Sequence, residues 1–151
     1  MVSQKSVQES IENDLYTGKK VEVKLLEKLN KLYNNTFSAC AYKYHLFDMV
    51  NDQKNIYVEL KSRRTNLKDF ETTIIGTNKI RKSIQYHKKN IQSYFMFKFN
   101  DKKSIYYLKF EPELFKTFKT EFITRWDRQA TKLHTHIPVK LLKKLNSESI
   151  S

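Results

Sequence analysis

Turn-forming residues are the scarcest component of this chain, and their scarcity limits the folds that it can adopt. Only two Gly and two Pro occur among its 151 residues. Because Gly and Pro dominate tight turns, a fold of many short strands such as a β-sandwich is disfavoured. We expect a few longer elements in a single domain, 1–151, with ten Phe and nine Tyr supplying much of the core.

An amphipathic helix is predicted near the N-terminus, over residues 17–33. Its apolar stripe follows the spacing i, i+3, i+4, i+7 and i+11, which matches one face of an α-helix. The residues on that stripe are Glu22, Leu25, Leu26, Leu29 and Tyr33. Lysines occupy most of the opposite face, as expected for a face in solvent. The pattern also allows a start near Val7, with Gly18 as a weak point inside the helix.

A β-hairpin is predicted in the next part of the chain. Two strand-like segments, 46–51 and 56–62, flank the turn-like sequence Asp-Gln-Lys-Asn. The centre of the turn falls between Gln53 and Lys54, and this position sets the register of the two strands.

Three charged side chains meet in this hairpin. Its register places Asp48 opposite Glu59. Because side chains alternate between the faces of a strand, Lys61 shares the face of Glu59, and Leu60 points to the other face. Two buried carboxylates without a partner would repel each other and would be costly to desolvate. A divalent cation removes that conflict, since it binds carboxylate oxygens and a backbone carbonyl such as that of Leu60.

The remaining elements are less strongly patterned. Further strands are predicted at 37–44, 94–99, 105–110 and 132–137. A basic helix is predicted over 78–89 with Thr77 as its N-cap, and a basic C-terminal helix is entered through Pro138. His134 and His136 share a strand face, but no Cys accompanies them, so they are interpreted as surface or packing residues.

An Asp, then a hairpin, then Glu-x-Lys on the next strand resembles the metal-binding motif of the PD-(D/E)XK nuclease superfamily. The motif is carried here by Asp48, Glu59 and Lys61, with Phe47 where the superfamily name has Pro. The resemblance implies an α/β protein of restriction-endonuclease-like fold, with a core order α-β-β-β-α-β and a mixed central sheet flanked by helices. The predicted elements over residues 17–99 follow that order.

The activity that the resemblance implies is that of a hydrolase, a Mg²⁺-dependent endonuclease that cuts DNA, with Mn²⁺ as a substitute ion. Asp48, Glu59 and the backbone carbonyl of Leu60 would bind the metal. Lys61 would orient the attacking water or help to deprotonate it, and would stabilise charge in the transition state. The competing interpretation is a set of cross-strand ion pairs on a solvated sheet face.

Members of the superfamily often contribute an acidic residue from the first helix, and two glutamates compete for that position. Glu22 lies on the apolar stripe, where a carboxylate needs a partner, whereas Glu27 lies among lysines on the opposite face. Glu22 is therefore the preferred candidate, as a ligand of a second metal or as a hydrogen-bond partner of metal-bound water.

The charge of the chain predicts a polyanionic partner. Lys and Arg number 29 against 16 Asp and Glu, which gives a net charge of +13. A Lys-rich composition of an AT-rich genome is the competing explanation. Candidate phosphate contacts are Arg63, Arg64, Asn78, Lys79 and Lys82. The expected partner is DNA, and a homodimer or higher oligomer is expected because two copies can cut both strands.

Two other functions remain open from the sequence. The first is a DNA-binding protein on the same fold without cleavage activity, and the second is an RNA-binding protein. The lone Cys40 cannot form an intramolecular disulfide, and neither a membrane-spanning segment nor a signal peptide is recognised. The chain is expected to be intracellular, in the cytoplasm or nucleus, and not secreted.

Overall fold

The computed structural model describes residues 4–33, 36–41, 45–124 and 131–150. The helices and strands are α1 (Gln4–Leu32), β1 (Phe37–Ala39), β2 (Met49–Asn51), β3 (Ile56–Ser62), β4 (Thr72–Gly76), α2 (Thr77–His87), β5 (Gln92–Lys98), β6 (Tyr106–Lys109), α3 (Pro112–Phe115), β7 (Thr120–Thr124), β8 (Thr131–Pro138) and β9 (Lys143–Lys144). In these ranges the strands form a six-stranded sheet of order β1-β2-β3-β5-β6-β9 and a three-stranded sheet of order β4-β8-β7. No helix in these ranges is both long enough and apolar enough to cross a membrane.

The centre of the larger sheet is a parallel pair, β3 and β5. Their register runs from Ile56 opposite Gln92 to Ser62 opposite Lys98. A parallel pair requires a crossover connection, and here β4 and α2 form it. The other neighbouring pairs of this sheet are antiparallel. This mixed α/β architecture confirms the predicted fold class.

The two faces of the larger sheet bury separate apolar cores. The α1-side core includes Leu25, Leu29, Met49, Val58 and Leu60. The α2-side core includes Phe47, Ile80, Tyr86, Phe95 and Phe97. Side chains alternate along β3 and β5, so each strand contributes to both cores. β5 is buried over most of its length, and β3 is buried at its three central residues.

The predicted first helix and the predicted hairpin register agree with the structure. The first helix includes the predicted segment and extends back to Gln4, with Gly18 inside it. Its stripe faces the sheet, since Leu25 and Leu29 are almost fully buried. The hairpin register is also confirmed, because Met49 pairs with Val58 as the predicted turn requires.

Several predicted boundaries were wrong. The strand predicted at 37–44 ends at Ala39, and residues 42–44 lie outside the described part of the chain. Gly76, not Thr77, is the N-cap of α2, because Thr77 is already helical. The hydroxyl of Thr77 does not cap the helix and instead lies 3.1 Å from the hydroxyl of Thr135 on β8.

The predicted C-terminal helix is also wrong. After Pro138 the chain makes one 3₁₀ turn at Val139–Leu141 and then enters β9. The amide of Leu145 donates to the carbonyl of Ile105 at 2.8 Å, and the Leu145 side chain is buried in the α1-side core. The backbone hydrogen bonds to the edge of the sheet and the burial of Leu145 therefore favour a strand over a helix in this short segment.

We predict that α1 depends on its apolar stripe for docking. Leu29 is fully buried, so Leu29→Ala should lower the free energy of unfolding by about 2–5 kcal/mol. Val23 lies on the same helix but is 57% exposed, so Val23→Ala should change it by less than about 0.5 kcal/mol. Urea unfolding followed by circular dichroism measures both variants, and equal losses would contradict this packing.

Candidate active site

The strand pairing between β2 and β3 ends at Asp48. In a regular strand, Phe47 and Met49 would share a face, yet they pack in the α2-side and α1-side cores respectively. The chain therefore bends at Asp48, and the backbone amide of this residue donates to the carbonyl of Val58 at 3.0 Å. The bend directs the Asp48 side chain across the end of β2.

The Asp48 carboxylate continues the hydrogen bonding that β2 no longer provides. Its Oδ2 accepts a hydrogen bond from the backbone amide of Leu60 at 2.8 Å. Because the amide and carbonyl of a strand residue point to the same side, the Leu60 carbonyl faces the same end of β2. An acidic side chain and a backbone oxygen thus share this edge, while the Leu60 side chain lies in the α1-side core.

Glu59 is the most buried charged side chain near this edge. It is only 2% exposed and pairs in register with Phe95, so its carboxyl group lies on the α2 side of the sheet. Burial raises its pKa to about 8, and a side-chain hydrogen bond and charge repulsion from Asp48 act in the same direction. Lys61 and Lys79 oppose the increase.

Lys79 is the direct partner of Glu59. Its ammonium lies 2.6 Å from Glu59 Oε2, and it also donates a hydrogen bond to the backbone carbonyl of Leu46. The first turn of α2 is therefore fastened both to the buried carboxylate and to the segment that leads to Asp48. Although Oε2 is close to the ammonium, it accepts no hydrogen bond of good geometry within the described ranges.

A third carboxylate approaches from the first helix. Partial burial raises the pKa of Glu22, and the charge of Asp48 raises it further. Glu27 is exposed on the outer face of the helix. The structure therefore brings Glu22, not Glu27, towards Asp48, as the stripe predicts.

Cys40 also lies beside these acids, which the sequence analysis did not anticipate. Burial raises the pKa of its thiol to about 11, and the negative charges of Asp48, Glu22 and Glu59 raise it further. Its backbone amide donates to the carbonyl of Asp48 at 2.9 Å. The thiol at this position is therefore a neutral neighbour of the carboxylates, not a thiolate.

The candidate phosphate contacts have different environments. Arg63 donates from Nε to Thr73 Oγ1 at 3.2 Å, donates to the Ile74 carbonyl and lies over the Phe97 ring, so it links the two sheets. Arg64 is exposed. Lys82 lies over the ring of Tyr86, with 5.0 Å between its ammonium and the ring centre.

Asn78 is exposed in the first turn of α2, where its side-chain oxygen accepts from the amide of Lys79 at 2.9 Å. A Cβ on the preceding Gly76 would lie only 2.7 Å from that oxygen. Glycine at position 76 therefore leaves room for the Asn78 side chain where β4 turns into α2.

A basic cleft adjoins the carboxylates. Its volume is about 660 Å³, and it lies between the end of β3, the start of α2 and the β7–β8 hairpin. The basic or histidine side chains that line it are Lys61, Arg63, Lys79, Arg81, Lys132 and His134. The sequence analysis identified the first three as functional candidates but not Arg81, Lys132 and His134. Lys132 and His134 lie on β8, which reaches this region by pairing with β4, a strand far away in the chain.

The donor atoms at the edge suit a hard divalent cation. Asp48, Glu59 and the Leu60 carbonyl offer oxygen ligands, and the buried Glu59 Oε2 lacks a good hydrogen bond among the described residues. No group of three or more His, Cys, Asp or Glu side chains in those ranges is arranged to hold a metal ion. The fit thus rests on two carboxylates and a backbone oxygen. His134 and His136 are bonded elsewhere, to the Lys132 carbonyl and to Thr72 and Glu121 respectively.

Comparison with known proteins agrees with the observed fold. The fold resembles that of a Holliday junction resolvase, Hjc from the archaeal hyperthermophile Archaeoglobus fulgidus, with a TM-score of 0.51 and 14% sequence identity. The alignment covers 84% of this chain and 96% of the resolvase. At this identity the likeness establishes the restriction-endonuclease-like fold and no more. No protein among the curated sequences matches this chain significantly.

The sequence itself defines the family. Residues 3–145 match a family described as "Phage putative PDDEXK endonuclease". The match covers nearly the whole chain, so the protein belongs to this family of PDDEXK nucleases.

We predict a pH-dependent stability that originates in Glu59. Between its usual pKa of 4.5 and its raised pKa of about 8, the folded protein holds a proton that the unfolded chain has released. The contribution of this group is therefore complete below about pH 4.5 and is lost as the pH rises through about 8. Glu59→Gln does not titrate, so its stability should decline less steeply, by on the order of 1 kcal/mol per pH unit within that window.

Urea unfolding of both proteins across the window measures the difference. Glu27→Gln is the matched control, because it makes the same change on the exposed face of α1. Parallel curves for the wild type and Glu59→Gln would contradict the prediction.

Proposed function

We propose that this protein is a divalent-metal-dependent endodeoxyribonuclease. The observation that carries the proposal is the meeting of the Asp48 and Glu59 carboxylates at the end of β2, beside Lys61 and a basic cleft. Membership of the PDDEXK family makes nuclease chemistry the natural use of this arrangement. Metal dependence, DNA as the substrate and endonucleolytic cleavage are the proposed particulars.

Asp48, Glu59 and the Leu60 carbonyl would hold the metal, with Mg²⁺ as the expected ion and Mn²⁺ as its substitute. When bound, such an ion supplies activation of a water and neutralisation of charge on the phosphate. It would also relieve the repulsion between Asp48 and Glu59, because both carboxylates could then be ionised. Glu22, on the α1 side, would bind a second metal ion or accept a hydrogen bond from metal-bound water.

Lys61 has the position of a catalytic amine. It extends from β3 on the same face as Glu59, lowers the pKa of that residue and lines the cleft. We assign to Lys61 the orientation or deprotonation of the attacking water and the stabilisation of negative charge on the phosphate. Lys79 is already paired with Glu59, so its first role is to hold the Glu59 carboxyl group in place.

Basic and polar side chains near the carboxylate site would bind the phosphates of DNA. Arg63, Arg64, Asn78, Lys79 and Lys82 are the proposed contacts. Arg64 and Asn78 are exposed, whereas Arg63 and Lys79 would act from positions fixed by bonds within the protein. The net charge of +13 supports attraction of DNA over a longer range.

We further propose an intracellular homodimer. The lone Cys40 is consistent with a reducing compartment. Cleavage of both strands by a single domain of this size is simplest with two copies, one for each strand. The molar mass in solution from light scattering tests the assembly directly.

The second candidate function is DNA binding without cleavage on the same fold. The observation that favours it is the ion pair between Lys79 and Glu59, because an ion pair of this kind also serves a purely structural role. The presence of Asp48 and Lys61 around the same carboxylate favours the nuclease.

We predict that Asp48→Asn and Lys61→Ala abolish cleavage but retain DNA affinity. Each substitution should lower the rate by a factor of about 10² or more, because both groups act where charge develops in the transition state. Asp48 repels phosphate until metal is bound, so its neutralisation should leave affinity similar or higher. Supercoiled plasmid, linear duplex, single strand and four-way junction with Mg²⁺ or EDTA form the assay.

Matched controls are Asp52→Asn, in the exposed hairpin turn, and Lys24→Ala, on the exposed face of α1. Both should cleave as the wild type does. Equal activity of all the variants would indicate a contaminating nuclease. A wild-type protein that is inactive on every DNA form, with Mg²⁺ and with Mn²⁺, would replace the proposal with non-catalytic DNA binding.

A further inference from the structure

The three-stranded sheet forms one wall of the basic cleft, and no described residue of this wall belongs to the carboxylate site. β8 pairs with β4 from Thr72 opposite Pro138 to Gly76 opposite His134, and β7 pairs with the outer side of β8. At the cleft end of this sheet, Ile123 pairs with Lys132, and both residues line the basic cleft. β7 and β8 therefore share the lining of this cleft with α2 and Lys61.

The charges on this wall are unbalanced. Lys132 is exposed on β8 and Arg81 is exposed on α2, and no carboxylate pairs with either side chain in the described part of the chain. No Asp or Glu from that part lines the cleft. Two cations that face a shared cleft repel each other, so this arrangement is favourable when an anion lies between them.

The other residues that line the cleft indicate the chemical class of its ligand. Ile74, Ile123 and Leu133 place apolar surface among the cations. Alternating anionic and apolar groups are a property of the sugar–phosphate backbone, in which each phosphate adjoins a deoxyribose. A cleft of about 660 Å³ is comparable with sites for small ligands, about 300–1,000 Å³, so it has room for the backbone of one strand of a duplex while the other strand lies outside it.

We propose that this cleft binds the backbone of one DNA strand. Lys132 on β8 and Arg81 on α2 would contact the phosphates of that strand. The inference rests on the proposed nuclease function, since Lys61, which shares a strand face with Glu59, also lines the cleft. His134 extends the same wall towards β4, where it pairs with Gly76.

Charge reversal tests the site. Lys132→Glu and Arg81→Glu should each weaken binding of a fluorescein-labelled duplex on the order of tenfold, because each replaces a cation that neutralises a phosphate with a charge that repels it. The slope of log affinity against log salt concentration should fall by about 0.9 for each phosphate that is no longer neutralised. Fluorescence anisotropy in EDTA measures both quantities without cleavage, and the two variants lie on different elements, so a folding defect in one leaves the other informative.

Lys144→Glu is the matched control, because Lys144 is exposed on β9 at the far edge of the larger sheet. It makes the same change in net charge, and its affinity should stay within about twofold of the wild type. If the control loses as much affinity as the cleft variants, or if the cleft variants bind as the wild type does, the proposal is overturned. If the wild type never cleaves DNA but the cleft variants still lose affinity selectively, the cleft assignment stands and the nuclease proposal fails.

Discussion

The parallel pairing of β3 with β5 is the constraint on which the other features depend. Two parallel neighbours cannot be joined by a tight turn, so the chain must leave the sheet after Ser62 and return at Gln92. That excursion contains both β4 and α2. It therefore starts the second sheet and delivers the first turn of α2, with Lys79, to the buried carboxylate of Glu59. This one crossover therefore positions both Lys79 at the site and the first strand of the sheet that lines the cleft.

Electrostatics explains why the site is built in this way. A carboxyl group as deeply buried as that of Glu59 is destabilised as an anion, and the nearby Asp48 adds repulsion. Lys79 and Lys61 reduce this cost, one from α2 and one from β3. The protein thus holds acids and amines close together around a buried carboxyl group, where electrostatic interactions are stronger than in water. Such an environment suits the proposed binding of a cation.

The features that were predictable from sequence depend on contacts close in the chain. The register of Asp48 against Glu59 follows from a turn only four residues long, and the stripe with Glu22 follows from the period of a single helix. The second sheet could not be predicted in this way, because Thr72 finds its partner at Pro138. The basic segment after Pro138 has a composition that also suits a helix. Its conformation is decided by the edge of β6 and by the burial of Leu145.

The sequence by itself determined the α/β class, the hairpin register and the shared strand face of Glu59 and Lys61, because alternation and turn position encode which side chains share a face. Only the tertiary structure decided that Lys79 pairs with Glu59, that Cys40 adjoins the acids and that Lys132 and Arg81 line the same cleft. These contacts join residues far apart in the chain. They form only when the crossover and the two sheets fix the distances between elements, and a one-dimensional pattern does not contain those distances.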